Sequence, residues 1–312
     1  MNGHNLRLLV IFNPTAGPSR SRRFQLTLAA LRRLGCKIDI SETRRRGDAE
    51  EIARGADPNS TDIVVAAGGD GTINEVINGL VDRGIPLALI PLGTANVLAS
   101  EIGLSRKPMK VAQTIVEGVR RPVCLGRING HWFSMMAGLG FDAHVVEAVS
   151  PPLKRLVGKG AYVFESLMEM IRYRPVRYRL TIDGQAHEAA SVIIANGHYY
   201  AGRYVVAPGA DLHAPILHVC LLQRTGRWQC IRYAVALLMG RLHRLKDVTI
   251  VPARNLRLEA PAGEPVQCDG DILGTLPLDV HIAENRLEIV FPRREGAAEP
   301  RIVDTSNTAD AA

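Results

Sequence analysis

Short apolar runs alternate with stretches of helical period through the first 120 or so positions of this chain. Leu6 to Phe12 reads as a strand, and Arg22 to Leu34, with Phe24, Leu28 and Leu31 on one face, reads as a helix. Ile38 to Ile40, Ala49 to Arg54 and Ile63 to Ala67 continue as strand, helix, strand. Ile73, Val76, Ile77, Leu80 and Val81 then fall at i, i+3, i+4, i+7 and i+8, the stripe of a helix that buries one face. Leu87 to Ile90 and a helix from about Met109 to Val116, closed by Gly118, complete the unit. Such alternation predicts an α/β, doubly wound parallel sheet with helices on both faces.

After Arg121-Pro122 the rhythm shortens. Val176, Tyr178, Leu180 and Ile182 alternate strictly, Asp183-Gly184 suits a type I′ turn, and Ala190 to Ala195 is expected as the returning partner strand. Further β-like runs follow at Leu217 to Leu222, Val248 to Val251, Leu256 to Ala260, Pro265 to Cys268, Leu278 to Ile282 and Leu287 to Phe291. Helical stretches around Tyr162 to Ile171 and Gln229 to Met239 interrupt them. The expected organisation is an α/β domain over residues 1–125, with the segment near 290–296 packing back on it. A β-rich, mostly antiparallel, sandwich-like domain covers 126–292, and the Ala/Asp/Glu/Ser/Thr-rich tail 297–312 is expected to be disordered.

A length of 312 residues favours two domains, and 46% hydrophobic with 22% charged residues is a globular composition that excludes collagen-like or coiled-coil readings of the whole. Lys+Arg outnumber Asp+Glu by 38 to 31, a net +7 that favours anionic partners. Aromatics make up 5% and do not interleave with basic residues, which argues against a nucleic-acid stacking platform. The five scattered cysteines contain no Cys-x-x-Cys, so neither a disulfide framework nor a zinc site is expected. No apolar stretch is long enough for a signal peptide or a membrane span, and the expectation is a cytoplasmic protein.

The chemistry concentrates in three loops at the carboxyl ends of predicted parallel strands, where an open sheet gathers its ligand contacts. Gly68-Gly69-Asp70-Gly71-Thr72 lies between a strand and an amphipathic helix; its glycines let a phosphate approach backbone at a helix N-terminus. The bland reading is that Thr72 to Glu75 forms a capping box at a tight turn. Asn13-Pro14-Thr15-Ala16-Gly17 and Pro91-Leu92-Gly93-Thr94-Ala95-Asn96 occupy equivalent positions. No Gly-x-x-x-x-Gly-Lys-Ser/Thr occurs, so a Walker-type loop is excluded.

In this order and spacing the three loops resemble the diacylglycerol kinase catalytic-domain family, soluble lipid kinases that include sphingosine and ceramide kinases. The resemblance continues through Gly138-Leu139-Gly140-Phe141-Asp142-Ala143, Asn196-Gly197 to Pro208 and Asp269-Gly270-Asp271, covering Leu6 to about Pro292. It implies ATP- and Mg2+-dependent phosphorylation of a lipid hydroxyl, most simply that of diacylglycerol, in a cleft between two domains. Asn13, Gly17, Thr43, Gly68, Gly69, Asp70, Gly71, Thr72, Glu75, Thr94 and Asn96 would then bind nucleotide. Asp70 would meet the nucleotide's magnesium, and Asp271 would be the base on the attacking hydroxyl.

Two departures qualify this. The family usually carries glutamate where Asp271 stands, one methylene longer, and where it supplies a carboxylate to a structural magnesium this chain reads Asp211-Leu212-His213-Ala214. Ala214 cannot ligate a hard cation, so a metal at Asp211 is expected to be absent or weak. The rival readings are an NAD or sugar-phosphate kinase sharing the Gly-Gly-Asp-Gly loop, or a nucleotide-binding regulator with impaired catalysis. Gly138-x-Gly140-x-x-Ala143 formally fits a dinucleotide fingerprint, a short pattern without a βαβ context. Basic clusters at Arg20 to Arg23, Arg44 to Arg46, Lys154-Arg155 and Arg241 to Lys246 are expected mostly as solvated faces. One or more would dock on an inner-membrane surface where the lipid substrate lies. The β-rich half offers an edge through which an oligomer can form.

Overall fold

The computed structural model describes residues 5–15, 18–140, 176–259 and 264–293. Gly17, the stretch Phe141 to Ala143, Lys154-Arg155, the helix expected near Tyr162 to Ile171 and the tail 297–312 lie outside the described residues.

The first half alternates as its periodicity requires: β1 (Arg7–Phe12), α1 (Pro18–Arg33), β2 (Lys37–Glu42), α2 (Asp48–Arg54), β3 (Ile63–Gly68), α3 (Asp70–Leu80), β4 (Leu87–Pro91), α4 (Val97–Glu101) and α5 (Pro108–Glu117). The strands pair in parallel in the order β2-β1-β3-β4. Alternate residues of each strand feed opposite layers. Ile63, Val65 and Ala67 pack with Phe24, Leu28, Leu31, Val111 and Ile115 of α1 and α5. Val64 and Ala66 pack with Ala49, Ala53, Ile73, Val76, Ile77 and Leu80 of α2 and α3. The doubly wound prediction holds.

The second half is antiparallel: β5 (Val119–Ile128), β6 (His131–Phe133), β7 (Met136–Leu139), β8 (Tyr178–Ile182), β9 (Gln185–Ala189), β10 (Ser191–Ala195), β11 (Tyr199–Tyr200), β12 (Tyr204–Val205), β13 (Leu217–Leu222), α6 (Arg227–Leu238), β14 (Val248–Ala253), β15 (Asn255–Glu259), β16 (Pro265–Cys268), β17 (Asp271–Thr275) and β18 (Leu278–Phe291). A six-stranded sheet runs β14-β13-β10-β7-β16-β17. It faces a layer containing β15, β8 and β5 across a core that includes Phe133, Leu139, Tyr178, Leu180, Val192, Val219 and Val280.

The two layers of chain are joined by β18. Ile289 pairs in parallel with Leu87 of β4, while Val280 to Phe291 pairs antiparallel with Ile128 to Val119 of β5. Its other end carries β15, then β8 and β9, so the parallel sheet and one sandwich layer form a single ten-stranded sheet.

Two expectations change. Leu278 to Ile282 and Leu287 to Phe291 are one strand, its register shifted by a bulge between Ala283 and Leu287. Asp183 and Gly184 both have positive φ, as a type I′ turn requires, but the partner of β8 is the polar edge strand β9. The apolar run Ser191 to Ala195 is instead a central strand of the other sheet, between β13 and β7. Gly138 sits inside antiparallel β7, paired with Ile193 and Gln267, in keeping with the lack of a βαβ context around Gly138-x-Gly140-x-x-Ala143.

Helices α2 and α3 meet at Gly79, where a Cβ would stand 2.4 Å from the Glu50 carbonyl oxygen and 2.7 Å from Ala53 Cβ. Alanine ordinarily favours a helix interior by about 1 kcal/mol over glycine, but a backbone carbonyl cannot step aside as a side chain can. Gly79→Ala is therefore expected to lose about 1–3 kcal/mol of stability in urea unfolding, against its helix propensity.

Candidate active site

Strand β3 ends at Gly68 and α3 begins at Asp70, with Gly69 as an extended N-cap that has no side chain to cap the helix. Gly69 therefore offers the first-turn amides of α3 no side-chain cap, and among those amides that of Asp70 donates to its own carboxylate. Thr72 is not the N-cap, so the capping-box reading is corrected: Glu75 reaches across and accepts hydrogen bonds from the amides of Gly47 (3.0 Å) and Ala49 (3.2 Å), fixing the entry to α2.

The three predicted loops interlock around this turn. Asn13 Nδ2 donates to Thr72 Oγ1 at 3.0 Å, and its Oδ1 accepts from the Thr15 amide and hydroxyl. The amides of Leu92 and Gly93 donate to the Gly68 carbonyl at 2.8 and 3.2 Å. A Cβ on Gly93 would lie 2.6 Å from Gly69 Cα, and one on Gly68 would lie 2.6 Å from Thr72 Cβ, so glycine is required at both contacts. Asn96, left-handed at φ 49, closes its loop on Gly93 through both its side-chain atoms. Asp70 accepts from the amides of Asn96 (2.9 Å) and Val97 (2.6 Å). Burial raises its pKa and these amides oppose the rise. In this arrangement Asp70 positions the third loop at the start of α4. Thr43 is buried at the end of β2, its amide donating to the Phe12 carbonyl, and Thr94 is exposed at the loop tip.

The second half delivers Asp271 to the same place. A Cβ built on Gly71 would lie 3.5 Å from Asp271 Oδ2, so this carboxylate faces the first turn of α3. Arg46 Nη2, from the loop before α2, stands 3.4 Å from Asp271 Oδ1; both side chains are substantially exposed, so the pair adds little to stability. Helix α3 also grips β6 directly. Asn78 donates to the Trp132 carbonyl and accepts from its amide, and Asn74 approaches His131 Nε2 at 3.4 Å. Burial lowers the pKa of that histidine.

What sequence reasoning missed is the support beneath Asp271. The β16–β17 hairpin turn is ordinary in shape, yet Asp269 within it is buried and accepts four hydrogen bonds, from the amides of Ser134 (2.7 Å), Met135 (3.0 Å) and Met136 (2.9 Å) and the Ser134 hydroxyl (3.0 Å). Burial pushes its pKa up to about 6 against those donors. Gln267 Oε1 accepts from the Gly270 amide, and Asn196 donates to the carbonyls of Cys124 and Ser134. Asn196 was visible only as part of Asn196-Gly197; nothing in Asp-Gly-Asp distinguishes a buried first acid from a solvated one. Glu101 at the end of α4 accepts from the amides of His198 and Tyr199 and bonds His198 Nδ1 at 2.6 Å.

Asp211 accepts from the His213 amide, and His213 Nδ1 lies 2.8 Å from the Pro122 carbonyl. Among the described residues no group of three or more His, Cys, Asp or Glu side chains gathers as a metal site.

Asp269→Asn would turn an amide NH2 toward donors; the expected loss is about 3 kcal/mol in chemical unfolding, since hydrogen bonds to a buried charge are the costly ones to break.

Comparison with known proteins matches the two halves to two domain models: "Diacylglycerol kinase catalytic domain" over residues 7–128 and "YegS C-terminal NAD kinase beta sandwich-like domain" over residues 135–291. A diacylglycerol kinase of Bacillus subtilis is 29% identical over 297 residues, spanning 93% of this chain and 97% of that protein. One from Mycobacterium tuberculosis strain H37Rv is 31% identical over 255 residues, 79% of this chain and 82% of its own. The crystal structure of a Bacillus anthracis diacylglycerol kinase superposes with a TM-score of 0.72 at 23% identity, over 92% of this chain and 97% of that one, a likeness of fold. With both halves matched and a relative above 30% identity covering most of its length, the chain belongs to the diacylglycerol kinase catalytic domain family.

Proposed function

We propose that this protein is an ATP-dependent lipid kinase that phosphorylates the hydroxyl of diacylglycerol or a closely related membrane lipid. The observation that carries this reading is the approach of Asp271 to Gly71, which sets a carboxylate against an uncapped helix N-terminus walled by glycines. A glycine-walled helix start without a side-chain cap fits the phosphates of a nucleotide. Asn13, Thr43, Gly68, Gly69, Gly71, Thr72, Thr94 and Asn96 bind or shape that cradle, and Glu75 holds the loop after Thr43 in place. Asp70 keeps the third loop closed on it.

Phosphoryl transfer asks for alignment, charge compensation and a base. Asp70 lies at the helix start where the magnesium carried by the nucleotide would be held, and that ion would compensate the phosphate charge. Asp271 takes the proton of the lipid hydroxyl as its oxygen bonds to the γ-phosphorus and the bond to the β-phosphate oxygen breaks. Arg46, already beside Asp271, orients that carboxylate and offers its guanidinium to the same phosphate. The lipid is reached at a bilayer surface from the cytoplasmic side. Among the described residues no helix is long and apolar enough to cross a membrane.

Replacing Asp271 by Asn is expected to lower turnover by about 10²-fold or more while nucleotide affinity stays near wild type, because a general base contributes that much to the chemical step and little to binding. The measurement is transfer of label from ATP to dioctanoylglycerol, with NAD and fructose 6-phosphate as parallel acceptors and chelation of magnesium as the blank. Transfer to NAD or the sugar phosphate alone would move the protein to the other kinase classes. Nucleotide binding without any transfer would make it a regulator.

A further inference from the structure

Helix α6 presents an apolar face to solvent. Trp228, Ile231, Val235 and Leu238 recur at i, i+3, i+7 and i+10, with Ala234 and Met239 beside them. Trp228 is 81% exposed, Leu238 58% and Met239 65%. The fold does not need this face, because the helix is already anchored by the opposite one. Tyr233 and Ala236 pack with Ile193, Cys220, Leu222, Leu242 and Val248. The Tyr233 hydroxyl and Arg232 both bond Asp247, which also draws Arg224 to 3.6 Å.

The charge around the stripe has one sign. From Gln223 to Lys246 the sequence has no acidic residue and carries Arg224, Arg227, Arg232, Arg241, Arg244 and Lys246. Arg241, Arg244 and Lys246, just beyond Met239, are exposed. The neighbouring acid, Asp247, is occupied by the arginines and tyrosine named above. An apolar stripe bearing an exposed tryptophan, with a basic border and no acid of its own, is complementary to an anionic bilayer: the stripe enters the headgroup–acyl boundary and the cations meet lipid phosphates. A relay of contacts links the helix to the proposed site. Strand β12 packs on α6 and pairs with β11, and the loop before β11 is held by Glu101 of α4, the helix that begins at the Asp70-bound loop.

We propose that the outer face of α6 is a membrane-docking surface that inserts into anionic bilayers; this rests on the reading of the protein as a lipid kinase and names the element that brings it to its substrate. Of the chain's two tryptophans, Trp132 is buried and Trp228 exposed, so Trp228 emission reports the contact. With vesicles of equal parts phosphatidylglycerol and phosphatidylcholine, the full-length protein is expected to sediment and its emission to shift blue, a signal absent in Trp228→Phe. Val235→Asp with Leu238→Asp is expected to weaken sedimentation by about tenfold or more. Replacing Arg241, Arg244 and Lys246 by Gln is expected to weaken it roughly fivefold per residue. All variants should melt with wild-type cooperativity and phosphorylate monomeric dioctanoylglycerol at the wild-type rate. Wild-type protein that ignores anionic vesicles, or a double Asp variant that binds them undiminished, overturns the proposal. A concentration-dependent dimer, lost in the double variant and unaccompanied by vesicle binding, also overturns it in favour of a second copy covering the face. No transfer to dioctanoylglycerol by the wild type would instead overturn the kinase reading, whatever the vesicles show.

Discussion

A carboxylate withdrawn from water must be surrounded by donors, and the geometry of the proposed active site hangs on how Asp269 meets that demand. Three consecutive amides and a hydroxyl of Ser134 to Met136 converge on it. The turn that carries Asp271 is thereby fastened to the segment joining β6 and β7. The same Ser134 gives its carbonyl to Asn196, so the hairpin, β7 and the loop after β10 are tied at one point. Against this, the visible ion pair of Asp271 with Arg46 is minor: it lies in solvent, and such pairs contribute at most about 1 kcal/mol. Asp271 is aimed from behind by a buried charge and meets only the solvated guanidinium of Arg46 in front.

Helix α3 is the counterpart on the other half. Its first turn faces the proposed nucleotide site, its Glu75 fixes the loop leading into α2, and its Asn74 and Asn78 reach β6. One rigid element thus measures the distance between the phosphate loops and the sandwich. The glycine contacts between Gly69 and Gly93 join the loops into a single body, a preformed surface for the proposed nucleotide rather than three separate turns.

Periodicity made the parallel half legible because each of its helices and strands buries a stripe of its own. Ile73, Val76, Ile77 and Leu80 could hardly pack otherwise. The antiparallel half was harder to read. Gln185 to Ala189 is too polar to announce an edge strand, and the apolar Ser191 to Ala195 resembled a hairpin partner when it is a central strand of the other sheet. The three phosphate-type loops were visible through their glycines, whose need for close approach is local. Asp269, Asn196 and Glu101 were not, because their value comes from partners 135, 72 and 97 residues away in the chain. A residue type cannot advertise a contact of that range.

Position along the chain gives β18 a consequence for biosynthesis. It pairs with β4 at Ile289 and Leu87, runs along β5 on both sides of a bulge and carries β15, yet it is translated after all three. Until residue 291 has left the ribosome, the finished part of the parallel sheet waits with β4 as an open edge. Such an edge invites pairing with another chain. Any fragment that stops short of residue 278 keeps that exposure for good, so the two halves of this protein, though distinct in architecture, are not separable as expression units.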